Sequence, residues 1–169
     1  MDFRVFCGHT VIKDIPGFLK QISSVSSENG TIIQAMNAGM IVGEKHVAFA
    51  VEKALRAIAN KCNAANDPGI EIMRYASGKR QIGDAFLMGV HEGEMDIVFV
   101  VLGDPENISC SLAELGGLVC KKDVIEYSAR KREAILSQFD ITEKEIGAVG
   151  EEMVPELVLE RVALVDVLK

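Results

Sequence analysis

A short segment of small and basic residues, YASGKRQ at residues 75–81, carries the side chains best suited to binding an anion. Residue patterning predicts a strand before this segment and a helix after it. The first N–H groups of a helix are unpaired, and its dipole favours negative charge there. Gly78 lets a ligand approach the backbone, Ser77 can cap the helix or bind an oxygen, and two bases follow. The segment therefore reads as a phosphate-binding turn.

The same residues also fit an ordinary helix start, in which Ser77 is the cap and the basic side chains are solvated. The full G-x-x-x-x-G-K-[ST] loop is missing, so the segment is not a mononucleotide P-loop. Sequence physics leaves both interpretations open.

The end of the chain is the second candidate region, because it has more apolar residues than one face of an amphipathic helix can hold. These residues are Met153, Val154, Leu157, Val158, Val162, Leu164, Val165 and Leu168. A helix that is apolar on two faces needs two partners. Either the second face binds another protein, or the helix is buried within the last third of this chain. The surrounding glutamates would suit a basic partner.

The histidines and cysteines give little sign of catalysis or metal binding. Four cysteines and three histidines have no C-x-x-C pair and no zinc-ligand spacing, so the thiols are predicted to be packing residues. His46, near the start of a predicted helix, has no nucleophile beside it in the sequence and is predicted to pack or cap locally. His9 and His91, next to turn residues, are predicted surface groups.

Composition predicts one globular domain over residues 1–169. Apolar residues make up 49% of the chain, yet no uncharged run approaches the ~18 residues of a membrane span. With no signal-peptide pattern either, the default expectation is a cytoplasmic protein without a membrane. A net charge of −7 excludes a generic nucleic-acid binder, so any RNA contact needs a local basic patch.

Strand-like and helix-like segments alternate along the chain. Strands are predicted at residues 2–7, 31–36, 70–75 and 95–102, and helices after Asp14, at 44–61, at 79–88, and near 108–116, 129–138, 142–148 and 153–168. Residues 118–125 fit either a strand or a loop. Alternation alone favours a parallel doubly wound sheet, although split β-α-β arrangements with antiparallel neighbours give the same order.

Three sequence blocks resemble a known family. Residues 75–82 with Ala85 and Gly89-Val90 are similar to the signature YASG-x-RQI…A…G-[IV] of the kinase-binding subunit of the KEOPS (EKC) complex, the TPRKB-like family. Residues 33–57 are similar to that family's second strand and long helix, and 160–167 (ERVALVDV) to its C-terminal helix. The form resembles archaeal members.

The resemblance implies an α/β (α+β) single domain, with a small mixed or antiparallel four-stranded sheet layered with helices and a helical C-terminal third. This expectation replaces the doubly wound sheet.

The resemblance also implies a non-catalytic subunit without cofactor, metal or catalytic residues. Its partners would be the atypical kinase/ATPase subunit of KEOPS, through it the rest of the complex, and tRNA, bound by the 3′ CCA end for threonylcarbamoyl-adenosine modification. The expected RNA-binding residues are Arg74, Ser77, Gly78, Lys79, Arg80 and Gln81. The expected kinase-binding residues, spaced as for a helix in a groove, are Val158, Arg161, Val162 and Val165.

One alternative from a different class stays open. A small enzyme could use the Ser77–Gln81 turn to hold a phosphorylated metabolite. Such an enzyme needs a general base near the turn, and Asp84 is the only acid close to it in sequence.

Overall fold

The computed structural model describes residues 1–167, so the last residue of the helix predicted over 153–168 lies outside it. Residue contacts group the chain into two compact units. Unit 1 comprises residues 1–38 and 89–124, and unit 2 comprises residues 39–88 and 125–169.

Strands and helices are interspersed in roughly the first 120 residues, and helices fill the rest of the described chain. The strands are β1 (Asp2–Ile12), β2 (Ile32–Asn37), β3 (Gly93–Gly103) and β4 (Cys120–Lys121). The helices are α1 (Ile15–Asn29), α2 (Glu44–Ala59), α3 (Pro68–Ala76), α4 (Ile82–Ala85), α5 (Pro105–Leu118), α6 (Arg132–Gln138), α7 (Glu143–Val149) and α8 (Val154–Leu164). Among residues 1–167, none of the helices has the length and apolar character that crossing a bilayer requires.

Unit 1 is built on one four-stranded antiparallel sheet in the order β2-β3-β1-β4. The registers pair Phe6 with Phe99 and Ile33 with Val101. The expected α/β class with a small antiparallel sheet and a helical final third is confirmed. The parallel doubly wound sheet that alternation alone favours is wrong.

Alternating side chains of the sheet meet α1 and α5 on one face. This apolar cluster consists of Ile12, Phe18, Ile22, Ala35, Met95, Ile97, Phe99, Val101, Ile108, Leu115 and Val119. Strand residues two apart point to the same side, whereas helix residues three or four apart do so. The apolar faces of the strands and of the two helices therefore pack into one core.

Unit 2 is helical, and α2 packs against both α3 and α8. The strong 3.6-residue periodicity of α2 places Val47, Val51 and Ala54 in the interior. Thr142 caps α7 in a capping box with Glu145. Unit 2 contains all ten of the predicted RNA-binding and kinase-binding residues.

The strand predicted at residues 70–75 is wrong, because α3 occupies this segment. Asp67 accepts a hydrogen bond from the N–H of Ile70 at 3.0 Å, and Pro68 fits the first turn of a helix. The apparent polar–apolar alternation arises from Glu71 and Arg74, which are three residues apart and form an ion pair along the helix. A buried helix can show such a pattern because it is enclosed on all sides.

Two further predictions are corrected in part. The helix predicted over 79–88 is the single turn α4 followed by a 3₁₀ turn at Phe86–Met88. Residues 118–125 are neither one strand nor simply a loop, since they contain the end of α5, the two-residue β4 and a short loop. The 75–81 segment thus joins two helices rather than a strand and a helix.

Candidate nucleic-acid interface

Helix α3 contains a buried ion pair beside the predicted site. The Glu71 carboxylate is fully buried, and Arg74 donates to it from Nη2 at 2.7 Å and from Nε at 3.1 Å. The backbone N–H groups of Ala64 and Ala65 donate to the same carboxylate at 3.2 and 2.8 Å. Burial alone would raise the pKa of Glu71, but these hydrogen bonds outweigh it and lower the pKa.

The carbonyl groups at the end of α3 are bonded by the side chain of its cap residue, Ser77, and by side chains from two other segments. Ser77 Oγ donates to the carbonyl of Arg74 at 2.7 Å and accepts from the N–H of Lys79 at 3.2 Å. Gln138 Nε2 donates to the carbonyl of Ser77 at 3.0 Å, and His46 bonds the carbonyl of Ala76. The turn after α3 is therefore held from inside the unit.

His46 is neutral and fixed in one tautomer. Its Nδ1 accepts from the N–H of Val42 at 3.2 Å, so Nε2 carries the hydrogen that is donated to Ala76 at 2.8 Å. Burial lowers the pKa of this imidazole from 6.5 to about 4. The prediction that His46 packs or caps locally is confirmed.

Gly78 follows at a tight point of the turn. Its φ of 69° lies in the left-handed region, and a Cβ there would meet the Phe139 ring at 3.1 Å. A glycine is required for this packing rather than for approach of a ligand. In addition, α4 is one turn long, so the helix-dipole argument for an anion site at its start has no basis in the structure.

An open cavity of about 490 Å³ lies beside this turn within unit 2, and we call it the basic pocket. Its lining residues are Lys53, Arg56, Ala57, Asn60, Cys62, Ala64, Arg74, Tyr75, Arg80, Gln81, Val165 and Asp166. Four of them are cations and one is a carboxylate. Charge, rather than backbone N–H groups, is what this pocket offers to an anion.

The cations of the basic pocket differ in how far they are already neutralised. Arg74 is bound to Glu71, and Arg56 pairs with Glu52 at 2.5 Å on the helix surface. Lys53 Nζ lies 2.8 Å from the Asp166 carboxylate. Arg80 is exposed, and its guanidinium has no ion pair within residues 1–167. Arg80 is thus the cation most open to a phosphate.

The structure places the six predicted RNA-binding residues in three different settings. Arg74, Arg80 and Gln81 line the basic pocket. Gly78 and Lys79 line a neighbouring cavity of about 180 Å³, while Ser77 is fully buried. Their role in RNA binding stays a prediction.

Lys53, Arg56 and Asp166 were not predicted to belong to the site. Lys53 and Arg56 are three residues apart on the polar edge of α2, so that spacing was a signal that both face one side. Asp166 comes from the end of the chain, and nothing local in the sequence connects it to α2.

The four predicted kinase-binding residues serve internal contacts. Val158 and Val162 are 0% exposed and Val165 is 4% exposed. Arg161 donates to the carbonyls of Phe139 and Asp140, both at 3.1 Å, and pairs with Glu145 at 2.7 Å. The kinase contact assigned to these residues stays a prediction, and their burial favours a different surface of α8.

A family model described as kinase binding protein CGI-121 matches residues 11–166. The chain belongs to the CGI-121 family. The match covers both units and agrees with the resemblance seen in the sequence blocks. A comparison with curated proteins found no match. As a CGI-121 family member, the chain belongs to a family of kinase-binding proteins. Among its described residues, no three His, Cys, Asp or Glu side chains are grouped to hold a metal ion.

Removing the charge of Glu71 tests the buried ion pair. Glu71→Gln keeps the shape of the side chain but leaves Arg74 buried without a counter-charge, so we expect a loss of about 3–5 kcal/mol in the free energy of unfolding. Urea denaturation at pH 7 measures it. Glu52→Gln, in the exposed pair with Arg56, is the matched control and should cost no more than about 1 kcal/mol.

The same pair predicts a pH dependence. The folded-state pKa of Glu71 lies below its ordinary value of 4.5, so the stabilisation is complete above that pH and is lost as the pH falls through the folded pKa. The stability difference between wild type and Glu71→Gln should therefore shrink on acidification below 4.5. A difference that stays constant down to pH 3 would contradict the assignment.

Val162 provides a test of where α8 is buried. Val162→Glu places a carboxyl in the interior and should lower the melting temperature sharply, because burial without a partner costs several kcal/mol. Val167→Glu is the matched control, since Val167 is 67% exposed and lies in the same segment. Normal melting of Val162→Glu with loss of kinase binding would instead support a contact through this face.

Proposed function

We propose that this CGI-121 family member is a non-catalytic, cytoplasmic subunit of a KEOPS complex of archaeal type. It binds the atypical kinase/ATPase subunit and helps to recruit tRNA by the 3′ CCA end for threonylcarbamoyl-adenosine modification. The family match over residues 11–166 carries the kinase-binding part of the proposal. The basic pocket supports the RNA part.

The dimensions and charge of the basic pocket suit part of an RNA strand. A cavity of about 490 Å³ is within the range of ordinary small-ligand sites, large enough for a nucleotide. Guanidinium groups bind phosphate with two parallel hydrogen bonds, which Arg80 and Arg56 can offer from the rim. The buried aromatic ring of Tyr75 is not available for base stacking, so phosphate and ribose contacts dominate.

The acidic balance of the chain supports a local RNA contact rather than a general one. The net charge is −7, and the pocket concentrates positive charge in one place. Phosphates are repelled by acidic surfaces and attracted to this patch, which restricts where RNA can bind.

For the kinase contact we favour the exposed acidic residues around α8 over its buried valines. Glu152, Glu156 and Glu160 are exposed, and Met153 among them is 38% exposed. A carboxylate-rich surface with an apolar centre is complementary to a basic partner surface.

Co-elution with the kinase subunit of the same organism tests the kinase part. The wild-type chain should co-elute in gel filtration, whereas Glu152→Lys/Glu156→Lys/Glu160→Lys should not. The matched control reverses three exposed carboxylates of unit 1, namely Glu28, Glu92 and Glu106, with the same change in net charge. If the wild-type chain does not co-elute, the kinase-binding proposal is wrong. Loss of binding by both triple variants would mean only that net charge matters, and it would reject the α8 surface.

The enzyme alternative finds no strong base among the described lining residues of the basic pocket. Asp166 is the one carboxylate among the described lining residues of the basic pocket. Burial raises its pKa, but hydrogen bonds from Lys53 and Tyr75 outweigh this effect and lower the pKa. A carboxylate with a lowered pKa is a weak base at neutral pH. No turnover of ATP or phosphate metabolites is expected from the isolated chain.

Arg80→Glu tests the RNA contact. We expect roughly tenfold weaker binding of tRNA and a salt dependence that is lower by about one unit, because one phosphate contact is lost. Fluorescence anisotropy across a salt series measures both. Arg130→Glu is the matched control, since Arg130 is exposed and does not line the basic pocket. Equal affinity of Arg80→Glu and wild type would reject the assignment, and removal of the 3′ CCA should reproduce most of the loss.

A further inference from the structure

Asp166 lies in the basic pocket in a fixed position. Its Oδ1 accepts from the Tyr75 hydroxyl at 2.5 Å, and its Oδ2 lies 2.8 Å from Lys53 Nζ. Lys53 also lies over the Tyr75 ring, with Nζ 5.7 Å from the ring centre. Tyr75 is buried, so the carboxylate is held by a rigid donor on one oxygen and a cation on the other.

The Asp166 carboxylate retains acceptor capacity toward the pocket. A carboxylate has about four lone-pair sites, and the two contacts on its oxygens use two of them. Its side chain is 48% exposed, so the remaining sites can be reached by a ligand. An ionised carboxylate only accepts hydrogen bonds. The two carboxylate oxygens of Asp166 would repel a phosphate, but they would accept a hydrogen bond from a hydroxyl group.

We propose that Asp166 accepts a hydrogen bond from a ribose 2′-hydroxyl of the RNA strand in the basic pocket, and that it thereby selects RNA over DNA. The inference rests on the proposed function, since it requires that the pocket binds a nucleic-acid strand. It adds to that function a residue that distinguishes the sugar. Tyr75 acts as a positioning residue for the carboxylate.

The arrangement of charges favours a ribose hydroxyl over a base amino group. The ribose is bonded directly to its phosphates, whereas the amino groups of a base lie farther out. Asp166 is in contact with Lys53, and both line the same cavity as Arg56 and Arg80. Phosphates bound by those cations bring the ribose close to the carboxylate. Carboxylates recognise ribose hydroxyls beside phosphate sites in other folds, and the 2′-hydroxyl is the group that DNA lacks.

A simpler role for Asp166 is neutralisation of Lys53, and the two roles predict different outcomes. Loss of a purely neutralising carboxylate would strengthen the binding of RNA and DNA by the same factor, because both carry the same phosphates. Loss of a ribose acceptor would strengthen the binding of DNA while RNA gains less or loses affinity. The ratio of the two affinities therefore separates the roles.

The experiment compares single-stranded RNA and DNA oligonucleotides of one sequence that contains only A and C and ends in CCA. Dissociation constants are measured by fluorescence anisotropy for the wild-type chain and Asp166→Ala. We expect the wild type to prefer RNA by about tenfold or more, the effect of one hydrogen bond to a charged group. For Asp166→Ala the preference should fall to within twofold. Glu52→Ala is the matched control, because it removes a carboxylate that pairs with a pocket cation from outside the lining. It should shift both affinities equally.

The outcomes distinguish this inference from the proposed function. A wild-type chain that binds neither oligonucleotide rejects the RNA part of the proposed function. Equal binding of RNA and DNA by the wild type, or an unchanged preference in Asp166→Ala, overturns the role of Asp166 alone. If Asp166→Ala melts below wild type, Tyr75→Phe is the second variant. It keeps the ring and the carboxylate but removes the fixing hydroxyl, and it should lower the RNA preference as well.

Discussion

The buried Glu71–Arg74 pair is the interaction on which the arrangement of unit 2 depends. Two charges inside a helix that is enclosed on all sides are tolerable only because each satisfies the other. Glu71 also bonds the backbone before α3, and Arg74 Nη1 donates to the carbonyl of Arg80 at 3.3 Å after it. One pair therefore fixes both ends of the segment that bears the basic pocket.

The same pair explains why the arginines of the basic pocket differ in the positive charge that they can offer to a ligand. Arg74 lines the basic pocket, but its charge is neutralised by the ion pair with Glu71. It therefore forms part of the pocket wall without offering an unpaired positive charge. Arg80, six residues later, has no ion pair within residues 1–167. The candidate binding surface lies where α3, whose charges neutralise each other, is followed by a turn that carries the unpaired guanidinium of Arg80.

The sequence predicts the regular elements well wherever one period dominates. The apolar run at 95–102 and the helical stripe at 44–61 correspond to β3 and α2 within a few residues. The sequence-based prediction is wrong at α3. The charges of Glu71 and Arg74 neutralise each other only through their contact in the folded chain, and the sequence pattern does not show this contact. In the site, the 75–81 segment could be found from its residue types, whereas Asp166 is 113 residues from its partner Lys53 in the chain. The apolar residues of α8 fit either a partner protein or burial within the chain, and the valines among them are buried in this unit. The kinase contact assigned to them stays a prediction.

Because His46 is neutral in the folded chain, the unfolding of unit 2 is coupled to the uptake of a proton. The ordinary pKa of 6.5 returns when the chain unfolds, while the folded value is about 4. Between these values the unfolded chain binds one proton that the folded chain does not, so stability declines as the pH falls from 6.5 to 4. The loss at this one imidazole is on the order of 3 kcal/mol. A calorimeter would register the same proton as a buffer-dependent heat of unfolding. Burial of this imidazole beside the end of α3 thus makes the stability of this half of the chain sensitive to acid.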